Sequence, residues 1–207
     1  MKAGMRGPLL LRNNVIFLDR DGVINQDSPD YIKNRQEFIF IPGSISAICE
    51  LCDLGFDIII ITNQSGLGRH LITPSNLNQI HDNLVREIRA RGGRITDIFF
   101  CPHRPQDNCK CRKPLPGMLF KAQKKYAIDL ATAIMVGDSA KDIECGRNAG
   151  VGKTILVKTG NFRAAQKILS EKGLQPDYVA SDLLSAAKWI RAQAGLRACL
   201  KILDQAR

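Results

Sequence analysis

Four consecutive isoleucines, Ile58–Ile61, follow Phe56-Asp57 and run straight into the polar stretch Thr62-Asn63-Gln64-Ser65-Gly66. A half-exposed strand alternates apolar and polar residues, whereas a strand that is apolar at every position is buried on both faces, as in a parallel sheet. Val15–Leu18 is a second such run, and it ends in Asp19-Arg20-Asp21-Gly22. Parallel neighbours need crossover connections, and the helices in them cover both faces of the sheet.

The spacing along the chain supplies those crossovers. Helices are predicted over Ser44–Leu54, from Thr73-Pro74 to about Arg91, and over Gly117–Tyr126, Ala140–Asn148, Ala164–Glu171 and Leu183–Leu203. Strands are predicted between them at Ile98–Cys101, Ala133–Val136, Thr154–Val157 and Tyr178-Val179. Thr73-Pro74 reads as an N-cap followed by proline at the first helical position, and Gly55 and Gly150 read as helix stops. The alternation predicts one α/β domain with a doubly wound, mostly parallel, Rossmann-like sheet. Residues 1–13 read as an N-terminal tail and 182–205 as a C-terminal helix.

Composition narrows the classes. No apolar run approaches the roughly 20 residues that span a bilayer. Leu9-Leu10-Leu11 is too short for a signal sequence, so a cytoplasmic location and no membrane partner are expected. The seven cysteines are an odd number in a chain without an export signal, which points to thiols or metal ligands. Cys49, Cys52, Cys145 and Cys199 are read as helix packing residues. The net charge of +10 is scattered over solvated helix faces such as Arg86, Arg89, Lys121 and Lys124. It suits an anionic small substrate as well as a nucleic acid, and no nucleic-acid partner is expected.

The polar residues that carry chemistry fall at the carboxyl ends of the predicted strands. Side chains repeat every two residues in an extended backbone, so Asp19 and Asp21 are expected to leave the first strand toward the same side. Two such carboxylates repel and call for a cation, which marks a Mg²⁺ site. Thr62, Asn63, Gln64 and Ser65 offer a hydroxyl, amides and flexible backbone to an oxyanion. Gly137-Asp138-Ser139 follows the fourth strand, with Asp138 a third carboxylate and Asp142 on the same face of the first helical turn. Lys113 precedes Pro114, so its segment is expected to be extended and its ammonium placed to balance a phosphoryl group. Cys101-Pro102-His103 and Cys109-Lys110-Cys111 form a Cys₃His set that completes a tetrahedral, structural Zn²⁺ site over residues 101–111.

Asp19-Arg20-Asp21-Gly22, Thr62, Lys113 and Gly137-Asp138 with Asp142 resemble, in order, the four motifs of the haloacid dehalogenase (HAD) superfamily of phosphatases. The resemblance covers about residues 15 to 160. It implies a HAD-type sheet, an aspartyl-phosphate formed on Asp19, and Asp21 as general acid and then base. It also implies Thr62 and Lys113 on the phosphoryl oxygens. Mg²⁺ would be held by Asp19, the carbonyl of Asp21 and Asp138, with Asp142 behind them. The cysteine-rich loop resembles the zinc-bearing branch, whose members act on heptose 1,7-bisphosphates or on histidinol phosphate.

That branch lacks a large cap, and Val23–Ile41 is expected to form a flap, with Asp27 and Asp30 facing the substrate. Ser65, the Pro116-Gly117-Met118-Leu119 run and Leu115 resemble the heptose enzymes, implying hydrolysis of the C7 phosphate in lipopolysaccharide core synthesis. The short His103–Cys109 gap resembles the histidinol-phosphate enzymes, and Ser139 stands where heptose enzymes often carry lysine. Arg112 is the expected contact for the far phosphate, Ser139 a further contact, and the enzyme is expected to be a monomer. A DNA 3′-phosphatase and a catalytically inert zinc-stabilised interaction module are the remaining alternatives.

Overall fold

The computed structural model describes residues 14–205, with side chains to residue 195. The N-terminal tail and Cys199 therefore lie outside the described residues and side chains. The isoleucine run lies in β2, Asp57–Asn63, and its four isoleucines are wholly buried. β1, Val15–Leu18, pairs with β2 on one side. Its other neighbour is β4, Ile134–Gly137. β3 (Asp97–Cys101) lies outside β2, and β5 (Lys153–Val157) and β6 (Tyr178–Ala180) extend the sheet beyond β4. The order is β3-β2-β1-β4-β5-β6. All five pairings are parallel.

Every second residue of the central strands serves a different face. Ile16, Leu18, Ile58 and Ile60 join one core with α1 (Ser44–Asp53), α3 (Pro74–Ala90) and α7 (Leu183–Gln205). Val15, Phe17, Ile59 and Ile61 join the opposite core with α4 (Gly117–Tyr126) and α5 (Ala140–Ala149). α6, Phe162–Glu171, packs on α5 and Leu156. Thr73 caps α3 by accepting from the Asn76 N–H at 3.1 Å. Gly150, at φ 75°, ends α5 in the left-handed region where a side chain is unfavourable.

Several boundaries differ from the spacing alone. β2 continues through Thr62 and Asn63 because they pair with Phe100 and Cys101 of β3. The polar loop after it winds into a short helix, α2, at Ser65–Gly68. α6 starts at Phe162, two residues before the predicted Ala164. Cys49 and Cys52 are half-buried rather than buried. Their thiols donate to the carbonyls of Arg91 and Arg94, tying α1 to the loop before β3. Cys145 is buried, as expected.

The chain leaves β1 toward β2 and β3, then returns across it to β4. The crossovers on either side of β1 diverge there and open a crevice at the strands' carboxyl ends. Residues 23–41 close over it as a flap with no large inserted domain. Gln26 N–H donates to the Ile39 carbonyl at 2.8 Å, and Ile41 N–H to that of Ile24 at 2.9 Å. Val23, Ile24, Ile32 and Phe38 sink the flap's base into the core. Among the described residues no helix is long and apolar enough to cross a membrane.

Ile60→Ala is expected to lower unfolding free energy by about 2 to 5 kcal/mol, the cost of a cavity in a packed core. Leu71→Ala, at a side chain 51% exposed, should change it by no more than about 0.5 kcal/mol. Urea titrations giving equal changes for the two would contradict this account of the core.

Candidate active site

Asp19 is the first residue beyond β1, held by its N–H to the Val136 carbonyl at 3.0 Å. Its Oδ1 lies 2.8 Å from the ammonium of Lys113, and the same ammonium lies 2.6 Å from Oδ1 of Asp142. Lys113 also donates to the Ile61 carbonyl at 2.8 Å. The Lys113 side chain is only 2% exposed and that of Asp142 wholly buried. One cation therefore binds the ends of β1, β2 and α5 together.

Lys113 reaches this position from a turn that spans Arg112 to Leu115. The Leu115 N–H donates to the Arg112 carbonyl at 2.9 Å, and the Lys113–Pro114 peptide is cis. Asn63 grips the Lys113 backbone twice. Its Oδ1 accepts from the Lys113 N–H at 3.1 Å, and its Nδ2 donates to the Lys113 carbonyl at 3.2 Å.

Asp21 lines the same cavity as Asp19, the shared side expected of the pair, but is not part of the carboxylate cluster. Its carboxylate does not join Asp19 but turns to Arg20, Asn25 and Gln64. Nη2 of Arg20 lies 2.8 and 2.9 Å from its two oxygens, and Nδ2 of Asn25 and Nε2 of Gln64 donate at 2.9 and 2.8 Å. Burial pushes its carboxyl up, but Arg20 and these hydrogen bonds outweigh it and hold it below the usual range.

The carboxylates that do converge are Asp19, Asp138 and Asp142, whose ligand atoms lie within 4.8 Å of one another. Burial raises Asp19 well above its ordinary value, against the pull of Lys113. Burial and the neighbouring Asp142 push Asp138 up to about 7. Burial opposes the Lys113 charge, yet Asp142 and Asp19 outweigh it and raise that ammonium further. Three carboxylates against one ammonium leave negative charge in a water-poor site. Hard oxygen donors with that deficit fit a divalent cation of the Mg²⁺ type, whose ligands lie at about 2.1 Å.

Asn161 is a site residue that the spacing did not reveal. It follows β5 and donates from N and Nδ2 to Oδ2 of Asp138 at 2.7 and 3.1 Å. Its Nδ2 also reaches Oδ2 of Asp27 in the flap at 2.9 Å. Gly22 (φ 79°) and Gly160 (φ 62°) pack against Asp138 so closely that a Cβ on either would strike its carboxylate. The signal available was position: Thr159-Gly160-Asn161 follows a strand end, as the other site loops do.

A cavity of about 410 Å³ unites Asp19, Asp21, Thr62, Asn63, Gln64, Ser65, Arg112, Lys113, Asp138 and Ser139 with Asp27 of the flap and Lys141 of α5. Asp30 is exposed, does not line it, and has its carbonyl turned to Lys33 at 3.1 Å. The Ser139 hydroxyl donates to Asp142 at 2.6 Å, closing the capping box of α5. Thr62 Oγ1 accepts from Gln64 Nε2 at 2.9 Å.

Beside the cavity, Cys101, His103, Cys109 and Cys111 gather into one cluster. The sulfurs lie 3.3 to 3.6 Å apart, and His103 Nδ1 is 3.5 Å from Cys101 Sγ and 3.3 Å from Cys111 Sγ. Tetrahedral zinc with Zn–S of about 2.3 Å requires sulfur separations of about 3.8 Å, so this donor set fits zinc. Arg112 Nη1 donates to the His103 carbonyl at 3.2 Å, linking the cluster to the Lys113 turn.

Lys113→Met would leave two buried carboxylates without their cation. With chelator present it should destabilise by about 3 kcal/mol or more at pH 8. The penalty should shrink at pH 5, because Asp19, already raised, then takes up a proton and loses its charge. Urea midpoints showing a constant or growing penalty toward pH 5 would overturn this reading of the charge cluster.

Residues 110–186 match the family model described as HAD-hydrolase-like. The chain is 43% identical over 181 residues to a D-glycero-β-D-manno-heptose-1,7-bisphosphate 7-phosphatase of Bordetella bronchiseptica, covering 87% of this chain and 99% of the relative. A relative in Photorhabdus laumondii, named for the α anomer, is 41% identical over 71% of this chain and 84% of its own length. A crystal structure of the B. bronchiseptica D,D-heptose 1,7-bisphosphate phosphatase complexed with magnesium and phosphate matches with a TM-score of 0.81 at 42% identity, covering 87% of this chain and 99% of that one. With the site geometry, this identity over nearly whole chains shows that the protein belongs to the heptose-1,7-bisphosphate 7-phosphatase family of HAD-like phosphoric monoester hydrolases.

Proposed function

We propose that this chain removes the C7 phosphate of D-glycero-D-manno-heptose 1,7-bisphosphate, leaving the 1-phosphate, as a step toward nucleotide-activated heptose in the cytoplasm. The observation that carries the reading is the distribution of positive charge in the cavity. Lys113 is committed to Asp19 and Asp142, and Arg20 to Asp21. Arg112 and Lys141 line the same cavity, and among the described residues neither has an ion-pair partner. A substrate with two phosphates uses both sets: one phosphate at Asp19 and Lys113, the other on Arg112 and Lys141. A guanidinium offers such an oxyanion paired donors.

Asp19 is the nucleophile. Its carboxylate attacks phosphorus, the bond to the sugar oxygen breaks, and the phosphoryl group rests on Asp19 until water releases it. Asp21, in its protonated form, gives the leaving alkoxide its proton. As the carboxylate seen here, it then takes a proton from the attacking water. Thr62 and Lys113 hold the phosphoryl oxygens, with Asn63, Gln64 and Ser65 beside them. Asp19, Asp138 and the Asp21 carbonyl would hold Mg²⁺, with Asp142 behind. When bound, the ion offsets the repulsion between a carboxylate nucleophile and an anionic phosphate. The Cys₃His cluster would hold structural zinc and so aim Arg112 and Lys113.

Asp27, committed to Asn161, is a weak partner for the cationic amine of histidinol phosphate. The kcat/KM for heptose bisphosphate, assayed as both anomers, should exceed that for histidinol phosphate by at least about 100-fold, roughly 3 kcal/mol. Asp19→Asn should abolish turnover in a folded protein. Lys141→Ala and Arg112→Ala should each raise KM for the bisphosphate more than for a sugar monophosphate. Faster hydrolysis of histidinol phosphate, or equal KM effects on both sugar phosphates, would sink the substrate assignment.

Freshly purified protein should contain about one zinc per chain, from the Cys₃His count. Cys109→Ser should increase amide exchange across residues 101–113 and reduce turnover through Lys113. Metal analysis without zinc, or full activity after replacement of all four ligands, would end the zinc assignment.

A further inference from the structure

Behind Asp21 lies a polar group that the chemistry above leaves unused. His81, on α3, is 8% exposed, and its Nε2 lies 3.3 Å from Nη1 of Arg20. Arg20 is itself 1% exposed and stands 5.9 Å over the ring of Phe38. Its other nitrogens are occupied: Nε donates to Asp21 at 3.1 Å, and Nη2 to both Asp21 oxygens and to Gln64 Oε1 at 3.2 Å. A guanidinium only donates, so His81 Nε2 must accept and the imidazole must be neutral, with its proton on Nδ1. Burial first, then the Arg20 charge, lowers His81 to about 3, which agrees with that tautomer.

We infer that His81 is a positioning residue for proton transfer: its neutral Nε2 fixes the Arg20 guanidinium that orients Asp21. This rests on the reading of Asp21 as the general acid and base. A neutral acceptor is what the geometry requires. A carboxylate at this position would draw the guanidinium away from Asp21, and an apolar side chain would leave a buried N–H without a partner. An imidazole satisfies the donor and leaves the guanidinium's charge directed at Asp21. The proton passes between Asp21 and the sugar oxygen or water, and His81 takes no part in the transfer.

The test compares a sugar phosphate, whose alkoxide needs a proton to leave, with p-nitrophenyl phosphate, whose phenolate does not. His81→Leu should lower kcat on the sugar phosphate by about 10-fold or more, a part of the 10²- to 10⁴-fold that general acid catalysis contributes. KM should hold, and p-nitrophenyl phosphate turnover should fall less than about 3-fold. His81→Gln, whose amide oxygen can accept, should recover most of the loss. If His81→Leu does not fold, His81→Ile serves as the acceptor-free variant.

Equal losses on both substrates, no loss, or failure of His81→Gln to recover activity would overturn the inference. Asp21→Asn keeps the two readings separate. A uniform loss there removes the acid assignment and this inference with it. A selective loss there without one in the His81 variants removes this inference alone. Nitrogen-15 NMR of the His81 ring should show a neutral Nδ1–H tautomer down to about pH 5, as a group lowered to about 3 requires. A proton on Nε2 would equally overturn it.

Discussion

A single buried ammonium organises this end of the molecule. Lys113 sits between Asp19 at the end of β1 and Asp142 in the first turn of α5, with the Ile61 carbonyl of β2 below it. Burying a charge is costly unless opposite charge and hydrogen bonds accompany it. Here each partner stabilises the other: the carboxylates hold the proton on Lys113, and Lys113 anchors Asp19 at the end of β1. The remaining excess of carboxylate, with Asp138, is what suits the site to a divalent cation.

Everything that places Lys113 is consequently part of the site. Asn63 grips its backbone from β2, and Asn148 donates to the Pro114 carbonyl at 3.1 Å from the end of α5. Arg112 ties the turn to the His103 carbonyl within the Cys₃His loop. Between β3 and α4 the only regular element is a 3₁₀ turn at Pro105–Asp107, and these ties restrict the conformations the segment would otherwise sample. Zinc at the cluster would add a further tie. Asn161 plays a comparable part on the opposite wall, joining Asp138 to the flap through Asp27.

Asp19 and Asp21 have different surroundings. Asp19 faces Lys113 and two further carboxylates, whereas Asp21 faces a guanidinium and two amides. Two residues apart in the chain, they meet different fields. Asp19 lies in the carboxylate cluster that fits a divalent cation, and Asp21 is not part of it.

Much of this was legible in the amino-acid order. The isoleucine run and the alternating helices imply a sheet buried on both faces, and that topology places strand ends together. Hence Asp19, Thr62, Asp138 and the two Cys/His pairs were locatable from spacing alone, since each lies within a residue or two of a strand or turn signal. What only the tertiary structure decided are the contacts between segments distant in sequence. The Lys113 backbone is held by Asn63, 50 residues away. The Asp21 carboxylate is held by Gln64, 43 residues away, and by an Arg20 that itself meets His81. Asn161 belongs to the site because folding brings it to Asp27, 134 residues earlier. Local spacing sets backbone periodicity, but the direction of a buried polar side chain depends on which partners packing leaves within hydrogen-bond reach.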